Sequence, residues 1–186
     1  VDVLVAALES HHGATAGHCV DVSELSARVA ARLGASPGES ELVRQAALLH
    51  DLGKLAISPE ILGKAGPLEP HEWDLIRTHP DRGAEILMRA PGLGSLAAAV
   101  RASHERWDGL GYPNGLTGRE IPLAARIVGA CDAFDAMVTG RPYCPALAPE
   151  AAIAELHECA GSQFDPDVVE MLVAELPSAD LASSAA

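Results

Sequence analysis

Histidines and carboxylates recur along this 186-residue chain in a pattern suited to holding metal ions. The adjacent pair His50-Asp51 puts an imidazole beside a carboxylate, and Lys54 adds an ammonium one turn on, where a bound phosphate could meet it. His18, His79, His104 and Asp132 are the further candidate ligands. From His18 through His50, Asp51, His79 and His104 to Asp132 the steps are 32, 1, 28, 25 and 28 residues, so roughly each helix or helical hairpin supplies one ligand. Asp132 lies in the mostly apolar stretch Ile127–Phe134, where a carboxylate must be paired or metal-bound to tolerate burial. Mixed imidazole and carboxylate donors suit Fe, Mn, Ni, Co or Zn better than Mg or Ca. His11, His71 and His157 read as isolated structural or surface histidines.

The elements that must position these groups are helical. The chain is 48% apolar but only 3% aromatic, mostly Ala, Leu and Val, which favours close-packed helices over sheets and excludes disorder. Val22, Leu25, Val29 and Leu33 form one face of a helix ended by Gly34. Ser36-Pro37-Gly38-Glu39 has the form of a capping box opening a second helix, which carries Leu42, Ala46 and Leu49 to His50-Asp51. Residues 54–70 read as connection with one helical turn. Short helices are predicted at 70–77, 81–89 and 94–106, broken at Pro80 and at Pro91-Gly92. Five Gly and Pro residues within 108–120 make an exposed functional loop or turn cluster. Helices follow over Ile121–Val138, 149–159 and 166–175, with Glu155-Leu156-His157-Glu158 as solvated face and Trp73 and Trp107 as packing residues. The sum is an all-α bundle of about seven or more helices in one domain, 1–176, with 1–12 as the end of an upstream connecting helix and 177–186 a Ser/Ala tail. A start at Val1 and that tail suggest a domain cut from a longer protein.

Charge and cysteine usage narrow the function classes. Thirteen basic against 26 acidic residues give −13, a field that repels nucleic acid polymers and leaves room for a small anion only where local cations reverse it. Cys19, Cys131, Cys144 and Cys159 lie far apart without a CxxC pair, which fits reduced thiols in a reducing compartment. With no membrane-length apolar run, signal peptide or polybasic anchor, a cytoplasmic location is expected.

His50-Asp51, Lys54 and the run His104-Glu105-Arg106-Trp107-Asp108-Gly109-Leu110-Gly111-Tyr112-Pro113 resemble the HD-GYP family of the HD phosphohydrolase superfamily. Ile121-Pro122-Leu123-Ala124-Ala125-Arg126-Ile127, Asp132-Ala133-Phe134-Asp135-Ala136-Met137, Arg141-Pro142-Tyr143 and Gly161-Ser162-Gln163-Phe164-Asp165-Pro166 extend the likeness over residues 10–175. The resemblance implies a helical domain with two divalent transition metal ions in a central cleft, hydrolysing the bacterial second messenger cyclic di-GMP to pGpG or onward to GMP. It implies metal ligation by His18, His50, Asp51, His79, His104 and Asp132, with Asp51 bridging. Lys54 would face the scissile phosphate, Tyr112 would lie beside the site, and Arg141 would meet substrate phosphates. Two ions with Asp51 and Asp132 leave the first shell at net +2, and a hydroxide held by metals is a nucleophile near neutral pH.

Three positions depart from the family pattern. Ser103 stands where the family has a second histidine, so the second metal would lose a protein contact. Ala14 replaces the acid of three-metal members, so no third ion is expected. Cys144 replaces a basic residue, which would remove a phosphate contact. Two alternatives therefore stay open: a catalytically weak module that binds nucleotide or docks a partner such as a diguanylate cyclase domain through Gly111-Tyr112-Pro113, and a phosphohydrolase of another nucleotide. Regulatory domains in a parent chain are the other expected partners.

Overall fold

The computed structural model describes residues 4–6, 8, 16–64, 66–139 and 145–176. Nine α-helices are delimited among these residues, and within them there is no strand, only the isolated bridges Asp108–Thr117 and Ala160–Phe164. The helices are α1 (Ala16–Arg32), α2 (Pro37–Leu49), α3 (Pro59–Leu62), α4 (Pro70–Ile76), α5 (His79–Met88), α6 (Gly94–Arg101), α7 (Leu123–Thr139), α8 (Pro149–Glu158) and α9 (Pro166–Glu175), with 3-10 turns at Leu52–Ala56 and Gly118–Glu120. No helix among the described residues is long and apolar enough to cross a membrane.

The predicted face of α1 is the buried one: Val22 and Val29 are fully buried and Leu25 nearly so. Gly34 ends that segment with φ +83°, a conformation glycine adopts without the Cβ penalty. The capping box at α2 forms in both directions. Ser36 Oγ accepts the Glu39 N–H while the Glu39 carboxylate accepts the Ser36 N–H, an arrangement that stabilises a helix by about 1 kcal/mol. Buried Ala30, Ala46 and Ala47 let α1 and α2 approach closely, and α1 also packs on α7 and α9. Leu49, Leu52, Leu87, Ile127, Leu156 and Leu172, all fully buried, fill the space between these helices. Burial of each such side chain contributes roughly 1.5–3 kcal/mol. Cys19 and Cys131 belong to the same interior as free thiols, and burial pushes both up to about 12.

Several boundaries differ from the sequence reading. Pro80 does not break a helix; it occupies the first turn of α5, where its missing N–H costs nothing, so His79 opens that helix. The helix expected over 94–106 stops at Arg101, leaving Ser103 and His104 in the turn beyond it. The connection after Asp51 carries the expected helical turn as Pro59–Leu62 and, in addition, a 3-10 turn at Leu52–Ala56. Leu156 is core rather than solvated face, while its neighbours Glu155, His157 and Glu158 are exposed. Trp73 is no packing residue, being 49% exposed on the short helix α4.

The glycine at 53 explains how the 3-10 turn meets α5. A Cβ there would lie 1.8 Å from the carbonyl oxygen of His79 and 2.7 Å from the Gly83 N, so the two backbones touch only because position 53 carries no side chain. That contact brings Asp51 and Lys54 against the opening of α5 and its His79.

Candidate metal centre

Five segments deliver side chains to one place: α1 gives His18, the end of α2 gives His50 and Asp51, α5 gives His79, the turn after α6 gives His104, and α7 gives Asp132. They fall into two groups, His18 with His50 and Asp132, and Asp51 with His79 and His104, each with its donor atoms within 4.8 Å of one another. His18 Nε2 lies 3.0 Å from Asp132 Oδ1, and His50 Nε2 lies 3.8 Å from that same oxygen. Asp51 stands between the groups, with Oδ2 3.5 Å from His50 Nε2 and Oδ1 3.5 Å from His79 Nε2. His79 and His104 meet Nε2 to Nε2 at 3.0 Å.

The rings are turned so that Nε2 faces inward. His50 Nδ1–H donates to the Ala47 carbonyl and His79 Nδ1–H to the Ile76 carbonyl, each at 2.7 Å. A carbonyl only accepts, so each bond fixes the proton on Nδ1 and leaves Nε2 with its lone pair toward the centre. Burial, outweighing nearby Asp51, lowers the pKa of His79. Burial, with His79 and His50 beside it, holds His104 down at about 3. Both rings are thus neutral donors at pH 7. His18 is the opposite case: hydrogen bonds to Asp132 and then Asp135 raise it to about 9, so it must give up a proton to ligate.

Asp51 supplies the test of whether these residues fit a metal ion. It is buried, and although burial opposes its charge, the Lys54 ammonium beside it helps hold it well below the usual carboxylate range. Oδ2 accepts from Lys54 Nζ at 2.6 Å, but Oδ1 is buried without a hydrogen-bond partner among the described residues. An ionised oxygen left unpaired in the interior is expensive, and a cation between Asp51, His79 and His104 would satisfy it. The donor set of imidazole nitrogens and carboxylate oxygens fits a divalent transition metal.

Tyr112 completes one wall. Its ring stacks on His104 with centroids 5.1 Å apart and planes 8° from parallel, and its N–H donates to the His104 carbonyl. Glu105 braces the loop by accepting the N–H groups of Asn114 at 2.7 Å and Leu116 at 3.1 Å. Beside the centre lies a cavity of about 290 Å³, lined among others by Arg77, His104, Trp107, Tyr112, Arg126 and Asp132. Arg106 also lines it but pairs with Asp108 and Gln163. Ser103 is buried with its hydroxyl donated to Val100 O, so it adds no donor to either group. Arg141, Cys144, Ala14 and His11 lie outside the described residues, as do 177–186 and most of 1–12; His71 and His157 are exposed, as expected of isolated histidines.

Asp135 is the functional residue the sequence reading missed. Its Oδ2 lies 2.5 Å from His18 Nδ1, and its side chain is nearly buried. The signal was present: Asp132 and Asp135 share one face of α7 at i,i+3, and the apolar surroundings that single out Asp132 apply equally to Asp135.

The HD domain family model matches residues 2–168. The chain belongs to the HD domain family. Its motif order is that of the HD-GYP group, and this HD domain is 40% identical over 91% of its length to the cyclic di-GMP phosphodiesterase response regulator RpfG of Xanthomonas campestris, covering 46% of that protein. It is 42% identical over 82% of its length to a cyclic di-GMP phosphodiesterase of Thermotoga maritima, covering 42% of it. A 3'3'-cGAMP-specific phosphodiesterase of Vibrio cholerae is 37% identical over 91% of the chain, which covers 33% of that relative. The HD domain therefore spans less than half the length of these curated relatives. The crystal structure of a cyclic GMP-AMP specific phosphodiesterase from Vibrio cholerae shares the fold, with a TM-score of 0.70 over 94% of this chain and 47% of that one, at 22% identity.

Proposed function

We propose that this HD domain is a metal-dependent phosphodiesterase that opens cyclic di-GMP to pGpG or takes it onward to GMP. The observation that carries the reading is Asp51, a buried carboxylate set between two ligand groups with one oxygen unpartnered. In this reading His18, His50 and Asp132 would hold one divalent ion and Asp51, His79 and His104 a second, with Asp51 also beside His50 of the first group. The ions, when bound, supply positive charge for the phosphate and acidify a water. Lys54, already on Asp51 and with its side chain 30% exposed, is placed to reach a phosphate oxygen and offset charge developing there. Burial pushes the Tyr112 phenol up to about 12, so its hydroxyl stays a donor across the assay range. Arg141 is assigned to substrate phosphates on the motif alone.

The relatives named for cyclic di-GMP, at 40% and 42% identity, support a cyclic dinucleotide substrate and make cyclic di-GMP the one to assay first, with 3'3'-cGAMP as its competitor. Purified protein loaded with Mn or Fe should convert cyclic di-GMP, and Asp51→Asn should abolish both turnover and metal content. Turnover retained in Asp51→Asn overturns the mechanism, and a higher kcat/KM for 3'3'-cGAMP overturns the substrate.

One observation favours a second reading. Because the Ser103 hydroxyl is committed to Val100 O, the group around His79 and His104 has one donor fewer than the family pattern. A domain holding a single ion and turning over nothing would be a binding module, with the Gly111-Tyr112-Pro113 loop as the docking face for a diguanylate cyclase domain. Metal content per chain, measured with the turnover assay, separates the two.

A further inference from the structure

Acids outnumber bases 26 to 13 in this chain, and the described basic side chains are almost all neutralised in pairs. Arg28, Arg32, Arg44, Lys54, Lys64, Arg82, Arg101, Arg106, Arg119 and Arg126 each have a carboxylate within 4.0 Å. Among the described residues the two without one are Arg77 and Arg89. Arg89 caps the far end of α5 and takes no part in lining the cavity, whereas Arg77, the residue after α4, lines it. The Arg77 guanidinium lies 5.8 Å over the ring of Tyr112, and Tyr112 in turn stacks on His104. Aromatic contact fixes the position of a guanidinium without consuming its N–H donors. The cavity wall beside the metal centre therefore holds a positioned cation whose donors have no acidic partner.

From this geometry we infer that Arg77 binds the second phosphate of a two-phosphate substrate. The inference rests on the cyclic dinucleotide reading above. A cyclic dinucleotide carries two phosphodiesters on one ring. When one lies against the metal ligands and Lys54, the other is held away from them and needs a separate cation. Arg77 meets that need with a planar fork that matches phosphate oxygens. A substrate with one phosphodiester has nothing to offer this residue, so Arg77 sets selectivity for the cyclic dinucleotide.

The test compares kcat/KM for cyclic di-GMP with that for bis(p-nitrophenyl) phosphate, a one-phosphate diester, on the metal-loaded protein. Arg77→Met keeps an unbranched side chain over Tyr112 and removes the charge; Arg77→Lys keeps the charge and loses the fork. The ratio of the two kcat/KM values should fall about 10–100-fold in Arg77→Met, chiefly through a higher KM for cyclic di-GMP, and recover in part in Arg77→Lys. Equal loss on both substrates would mean that Arg77 acts by propping Tyr112 against His104, which overturns the inference. So does a ratio that Arg77→Met leaves unmoved in a protein active on cyclic di-GMP. A wild type active on the small diester but on no cyclic dinucleotide overturns the underlying substrate reading, and the inference with it.

Discussion

His18 touches two carboxylates, Asp132 through Nε2 and, on the far side of the ring, Asp135. The 2.5 Å contact of Asp135 with Nδ1 holds the ring so that Nε2 points at Asp132, the arrangement in which an outer carboxylate orients a ligand and raises its basicity. Asp135→Ala should weaken metal binding by about 10–100-fold, with Asp135→Asn losing less because an amide oxygen still accepts from Nδ1–H. Metal titration with a competing chromophoric chelator reads the affinity, and an unchanged value in the alanine variant would make the contact incidental. Ser103 makes the complementary case. Its hydroxyl is satisfied by Val100 O, yet the residue lines the cavity beside His104, so a longer side chain has space to turn inward. Ser103→His should raise occupancy at the group formed by Asp51, His79 and His104, seen as more metal per chain by elemental analysis. Unchanged occupancy would show that the serine is no defect in that group.

Between elements, the tightest constraint is the meeting of the 3-10 turn with α5. Gly53→Ala would drive a methyl into backbone at His79 and Gly83, which cannot yield as a side-chain tip would. The cost should be at least about 2–3 kcal/mol in denaturant unfolding, with metal affinity falling alongside because His79 opens the displaced helix. Gly38→Ala is the control: a Cβ there meets nothing within 4 Å, and that variant should unfold at or above the wild-type midpoint. This contact also marks the limit of what the sequence could tell. The buried face of α1, the capping box of α2 and the extents of α8 and α9 were legible because periodicity and capping are local. Pro80 misled because the same residue breaks a helix interior and opens a helix start, and only the packing of α5 decides which. The six candidate ligands could be picked out by type and by their spread of roughly one per helix, reinforced by the motif likeness. Their division into two groups around Asp51, the support from Asp135 and the bare cation at Arg77 depend on contacts between elements distant in sequence. Trp73 was misplaced because an isolated tryptophan carries no pattern saying which side of a short helix is covered.

At the scale of the whole molecule, the scaffold and the centre draw on different sources of stability. The interior built from α1, α2, α7 and α9 is continuous and apolar, and it includes Val22, Leu49, Ile127 and Leu172, none of them a candidate ligand. That core should hold the domain folded without metal. The centre gathers buried imidazoles and carboxylates whose mutual arrangement a bound ion would favour, so the ion should add stability by binding the folded state alone. Metal at 100 times its Kd contributes about 2.7 kcal/mol, and in a domain of this size each kcal/mol moves Tm by roughly 2–4 °C. Chelator-treated protein should therefore keep its helical far-UV signal and show a Tm lower by about 5–10 °C for each ion lost, compared with protein in saturating Mn or Zn. Asp51→Asn should lose this metal-dependent increment, because it removes the carboxylate that stands between the two groups. Collapse of the helical signal on chelation would place the metal within the folding core. A Tm indifferent to metal in the wild type would leave the unpartnered oxygen of Asp51 without the cation that its burial demands.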